Sequence, residues 1–126
     1  MRINFEVIRI SPIQSEHVDY KTLIFKLDVG EKINIDNSKD LSVFLKTIID
    51  GGVLKVIIDL KELEYIDSSG IGVLINSTKL IRTNSGDIVL SSVPPEIKNI
   101  FRTINLQNFI KLYNFEAEAI NSFRFV

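Results

Sequence analysis

The chain has no cysteine and a single histidine, His17. The first absence excludes disulfides, thiolate nucleophiles and cysteine-bearing zinc sites. Both together leave a transition-metal site almost no ligands. No run approaches the roughly 18 consecutive apolar residues of a membrane span. The opening MRINFEVIRISP alternates instead of forming an apolar core, so it does not read as a signal peptide. Neither sign of charge prevails: 15 Lys and Arg against 16 Asp and Glu give a net charge of −1, which excludes broad attraction to nucleic acid or an anionic membrane. Arg2, Arg9, Lys21 and Lys26 are scattered among acids and form no basic patch interleaved with aromatics. Neither G-x-x-x-x-G-K-[ST] nor G-x-G-x-x-G occurs, so neither familiar nucleotide loop has support. The expectation is a cytoplasmic domain over residues 1–126 with no cofactor, no metal, no nucleic acid and no membrane.

What is present reads as one α/β domain. At 126 residues and 45% apolar content the chain is long enough to bury a core. Residues 3–10 alternate, with Ile3, Phe5, Val7 and Ile10 against Asn4, Glu6 and Arg9, as in a half-buried strand. SPIQSEHVD reads as a polar loop, and residues 22–29 as a second strand, forming with the first a hairpin-like antiparallel pair at one edge of the sheet. Leu41, Phe44, Leu45, Ile48 and Ile49 repeat at helical spacing over 38–49, and Asp50-Gly51-Gly52 stops that helix. VLKVIIDL at 53–60 is nearly continuous in apolar residues, as in a strand covered on both faces. A helix over 69–83, a strand over 86–92, a helix opened by Pro94-Pro95, a short strand near 109–112 and a helix near 114–121 complete the pattern. Crossovers of this length imply a mixed, mostly parallel sheet of four to five strands with four helices mainly on one face.

The stretch YIDSSGIGVLI, residues 65–75, packs four non-apolar residues between an apolar run and a helix. Asp67 or Ser68 would cap the orphan N–H groups of the helix. Gly70 and Gly72 strip side chains from its first turn, which allows a second backbone or a bulky partner to approach. Two hydroxyls beside a carboxylate at a helix start also suit modification, because a phosphate adds up to two negative charges there. A capping role alone accounts for part of this pattern. A Ser-His-Asp triad would have to recruit His17 from a distant loop, and D-S-S-G is not the nucleophile elbow G-x-S-x-G. Glu62 and Glu64 flank Leu63 in a short connection and read as solvated loop positions.

VIIDLKELEYIDSSGIGVL resembles the signature of STAS domains, and most closely that of the anti-sigma factor antagonists. Asp59, Ile66, Asp67, Ser68, Ser69, Gly70, Ile71, Gly72 and Leu74 match, and Glu116-Ala117 resembles the family's late helix start. The resemblance implies a non-enzymatic module that binds an anti-sigma factor which is also a serine protein kinase, so freeing the sigma factor. It implies phosphorylation on Ser68, release of the phosphorylated form, and resetting by a metal-dependent serine phosphatase. The contact surface would comprise Asp67, Ser68, Ser69, Gly70, Ile71 and Gly72, on a monomer or weak dimer. Members carry a loop reading roughly G-x-[LI]-D after the second strand. This chain has GEKINIDN, where the acidic position falls on Asn34 and Asp36 follows two residues later. Asn34 and Asp36 therefore join the expected contact surface. The alternatives are an accessory or ligand-binding STAS module of a transport or stress-signalling system, and a small hydrolase using Ser68 or Ser69.

Overall fold

The computed structural model describes residues 2–10 and 23–124. Its main sheet has five strands: β1 (Asn4–Arg9), β2 (Leu23–Asp28), β4 (Lys55–Asp59), β6 (Asp87–Ser91) and β7 (Leu112–Tyr113), in the order β1-β2-β4-β6-β7. β1 runs antiparallel to β2 and the other pairings are parallel. Two shorter strands, β3 (Lys32–Ile33) and β5 (Tyr65–Ile66), pair in parallel as a separate small sheet. The helices are α1 (Ser38–Asp50), α2 (Ser68–Thr83), α3 (Pro95–Thr103) and α4 (Glu116–Arg124).

Periodicity explains which face each helix buries. Leu41, Leu45 and Ile49 recur every four residues and are all buried on α1, whose end is closed by the Gly51 N–H on the Thr47 carbonyl and the Gly52 N–H on the Ile49 carbonyl. Leu74 and Ile81 of α2 and Ile97 and Phe101 of α3 join α1 over one face of the sheet, against Leu27, Val56, Ile58, Ile88 and Leu90. Among the described residues α4 is the helix that covers the opposite face, where its Ala119 and Phe123 pack on Ile24, Ile57 and Val89. The mixed, mostly parallel sheet and four helices mainly on one face are as the sequence implied. Val56 to Asp59 of β4 are all buried, which explains their unbroken apolar character up to the final aspartate.

One buried charge group sits under α4. The Lys26 side chain, 6% exposed, lies 3.1 Å from Glu116, 3.6 Å from Asp28 and 3.7 Å from Glu6. Burial alone would lower its pKa, but the Glu116 hydrogen bond and the fields of Asp28, Glu116 and Asp59 outweigh it and raise the value. The ammonium therefore ties α4 to β2.

Three expectations change. β3 and β5 were invisible to periodicity, because a two-residue strand offers no repeat to read. The last strand begins at Leu112, since Leu106–Asn108 form a 3-10 turn into which Phe109 and Ile110 close. β1 pairs with β2 at a sheet edge as the sequence implied, but it is more open than half-buried: Phe5 and Val7 stay 52% and 47% exposed while Ile8 and Ile10 pack toward α4. The expected polar loop with His17 lies outside the described residues.

Candidate functional site

β5 delivers Asp67 directly to the start of α2. Its N–H donates to the Ile33 carbonyl at 3.1 Å, so the short β3–β5 pairing fixes the point where the helix begins. Asp67 is extended (φ −105°, ψ −177°), as an N-cap requires. Its Oδ1 accepts from the backbone N–H of Ser69 at 3.0 Å and of Gly70 at 3.2 Å, and from the Ser69 hydroxyl. Its Oδ2 accepts from the N–H of Ile35 at 2.9 Å, in the loop between β3 and α1. One carboxylate thus clamps two segments far apart in sequence. The Ser69 hydroxyl bond is the main reason its pKa is lowered; burial opposes this, and the N–H groups of Gly70, Ile35 and Ser69 add to the lowering.

The two serines are not equivalent. Ser69 spends its hydroxyl on the cap and is half-buried, whereas Ser68 is exposed and none of these bonds uses its hydroxyl. A phosphate on Ser68 would find the Ser69 and Gly70 N–H groups already occupied by Asp67. It would gain little from the helix end and would stand beside a carboxylate held ionised.

The glycines also divide. A Cβ on Gly70 would lie 2.7 Å from Ile33 Cγ2, 2.8 Å from Ile66 Cγ1 and 2.9 Å from the Ile33 carbonyl oxygen. The backbone that Gly70 admits is β3 of its own chain, and the residue is buried, so it does not form part of a contact surface. A Cβ on Gly72 meets nothing within 4 Å, and Ile71 is half-buried beside it.

The loop from Asn34 to Asn37 is held by its own asparagines. Asn34 N–H donates to Asn37 Oδ1 at 2.9 Å, Asp36 N–H to Asn34 Oδ1 at 3.1 Å, and Asn37 Nδ2 to the Lys32 carbonyl at 2.9 Å. Asn34 is therefore occupied in building the loop. Asn37, not Asp36, occupies the N-cap position of α1, and Asp36 is exposed. The projecting apolar residue between them is Ile35, 73% exposed, with Tyr65 52% exposed on β5. Sequence reading passed over both. The available signal was an isoleucine between two polar loop residues, belonging to no periodicity.

Glu62 and Glu64 are exposed and line an open cleft of about 470 Å³ with Glu31, Lys61 and Glu96. Among the described residues no group of carboxylates and histidine is placed to hold a metal ion. No helix among them is long and apolar enough to cross a membrane.

The STAS domain family matches residues 15–119. A Bordetella bronchiseptica protein named as a candidate anti-sigma factor antagonist, BtrV, is 27% identical over 92 residues, covering 73% of this chain and 79% of that protein. The crystal structure of a candidate anti-sigma factor antagonist from Thermotoga maritima superposes with a TM-score of 0.76 at 27% identity, covering 85% of this chain and 90% of that one. The Bacillus protein SpoIIAA shares the fold at 19% identity in both its unphosphorylated form (TM-score 0.68, 98% of this chain and 100% of that one) and its phosphorylated form (TM-score 0.65, 94% and 98%). A family match over residues 15–119 and a superposition covering 85% of the chain agree: the chain belongs to the STAS domain family.

Proposed function

We propose that this chain is an anti-sigma factor antagonist whose binding is switched by phosphorylation on Ser68. The observation that carries the reading is the division of labour at the start of α2. Asp67 and Ser69 are committed to the cap, and Ser68 alone offers a free, exposed hydroxyl. The names of the relatives point to an anti-sigma factor as partner. In this reading the unphosphorylated surface around Asp67, Ser68, Ile71, Gly72 and the Asn34–Asp36 loop docks an anti-sigma factor that is also a serine kinase, and the sigma factor is freed.

Phosphorylation then replaces a neutral hydroxyl by a group of about two negative charges. Rebinding would require that dianion to be desolvated against a surface shaped for a hydroxyl. Misplaced charge at an interface costs several kcal/mol, and about 4 kcal/mol is already a thousand-fold in affinity. A metal-dependent serine phosphatase would restore the binding form. The chain itself supplies an acceptor hydroxyl and a fixed surface, not a catalytic group.

The test is phosphopeptide mapping after incubation with the cognate kinase and ATP. Label is expected on Ser68, with Ser68→Ala binding the kinase constitutively and Ser68→Asp binding poorly. Label on Ser69 alone, or label persisting in Ser68→Ala, refutes the assignment.

A further inference from the structure

Outside the site, the largest unexplained feature is an edge of the main sheet that no strand among the described residues covers. β7 at one edge is two residues long, too short to template another strand. β1 at the other edge is regular over six residues, in unbroken register with β2, with no proline or bulge to blunt it. Its exposed apolar residues belong to a larger patch. Phe5 stacks on Phe25 at 6.2 Å and lies 5.7 Å from Phe44 of α1. Val43, 55% exposed, and Phe44 line a groove of about 440 Å³ along the outer side of α1.

We infer that β1 pairs with β1 of a second copy of this chain, antiparallel about a two-fold axis through Val7. The choice of occupant and register follows from the side chains. In an antiparallel pair, directly opposed residues share a face. An axis at Val7 sets Val7 against Val7 of the second copy, Phe5 against Arg9 and Glu6 against Ile8, pairing residues 5–9 without opposing like charges. An axis at Glu6 would place two carboxylates opposite each other. An axis at Ile8 would pair only residues 7–9 of the strand. Of the three registers, only the one centred on Val7 pairs five residues of the strand with no like charges directly opposed, as a two-fold interface permits. The added pairing would continue the sheet across both copies and cover Phe5 and Val7. α2, which carries Ser68, packs at β6, across β4 and β2 from this edge, so the dimer leaves the phosphorylation site open.

The experiment uses the purified chain, which has no cysteine of its own. Sedimentation velocity over a concentration series is expected to show reversible dimerisation. Val7→Lys sets two ammonium groups across the axis and is expected to weaken self-association at least ~10-fold with unchanged circular dichroism, since Val7 is already half exposed. An equimolar mixture of Val7→Lys and Val7→Glu is expected to restore a dimer. Val7→Cys is expected to give a disulfide-linked dimer on mild oxidation, because opposed Cα atoms in such a ladder lie about 4.5–5.5 Å apart. Ile35→Cys, exposed elsewhere, is expected not to. A wild-type chain that stays monomeric at high concentration overturns the inference and leaves the edge to a strand of another protein. A dimer insensitive to Val7→Lys, or cross-linked equally well through Ile35→Cys, also overturns it.

Discussion

Gly70 and Gly72 stand two residues apart in the same helical turn, and alanine should act on them in opposite directions. At Gly70 the new methyl meets Ile33 Cγ2 at 2.7 Å and Ile66 Cγ1 at 2.8 Å, both of which can pivot, and the Ile33 carbonyl oxygen at 2.9 Å. That oxygen cannot move freely, because it accepts the Asp67 N–H and so holds the cap in place. Overpacking of this kind costs about 1–3 kcal/mol, and better helix propensity returns at most about 1 kcal/mol. Gly70→Ala should therefore be net destabilising by about 1–2 kcal/mol. At Gly72 there is nothing within 4 Å, so only the propensity gain of about 0.5–1 kcal/mol remains. For a domain of this size 1 kcal/mol moves Tm by roughly 3–5 °C. Thermal unfolding followed by circular dichroism should place Gly70→Ala several degrees below wild type and Gly72→Ala a few degrees above it. Gly70→Ala at or above the wild-type Tm would refute the packing argument. A clear loss of stability in Gly72→Ala would show that its open side is filled. Under the proposed function, Gly72→Leu should keep the fold and still weaken kinase binding.

Asp67 has its pKa lowered first by the Ser69 hydroxyl, so its contribution to stability is complete above the ordinary aspartate range and is lost as pH falls through the depressed folded value. Urea unfolding at a series of acid pH values should show a shallower acid limb for Asp67→Asn, and an unchanged limb would refute the clamp. Lys26→Met leaves Glu116 and the buried Asp59 without this cation, and Asp28 with only the exposed Lys61 at 4.0 Å, and should cost about 2–4 kcal/mol, somewhat less than a fully buried pair because Glu116 and Asp28 are partly exposed. Chemical denaturation measures that loss, and Glu116→Gln in the same chain should restore part of it. The raised pKa of Lys26 keeps its contribution intact below the ordinary lysine range and removes it only as pH rises through the higher folded value, so Lys26→Met should flatten the alkaline limb. Asp36 is exposed and not at the cap position, so Asp36→Asn should leave Tm unchanged; weaker kinase affinity that recovers toward wild type as salt rises would establish an electrostatic contact, and wild-type affinity at low salt would exclude one.

The elements that sequence reading located are those with a repeat long enough to count. α1 and α2 announce themselves through Leu41, Leu45 and Ile49 and through Leu74 and Ile81, and β4 through its unbroken apolar run. β3 and β5 do not, although they position the site, because two residues carry no period. The same reason hid the role of Gly70. A glycine in a first turn suggests access, but whether the visitor is a partner or the chain's own β3 depends on a strand that cannot be read locally. Asp67 was legible as a cap because capping is a local bond to Ser69 and Gly70; its bond to Ile35 was not, since it spans 32 residues. The first strand was legible as the antiparallel partner of the second at a sheet edge, but alternation could not say how far Phe5 and Val7 would stay exposed.

That long-range bond also decides when the surface around Ser68 exists at all. The Asn34–Asn37 loop and the first turn of α2 are brought together by the β3–β5 pairing and joined by the Asp67 carboxylate. A peptide spanning residues 65–75 would contain the serine but not the surface that presents it. Under the proposed function, recognition of Ser68 through both segments would also be an inspection of folding. On that reading, a newly made or damaged chain whose small sheet has not closed would neither bind nor become a substrate, so the signalling pool would count only molecules that have completed this corner of the fold.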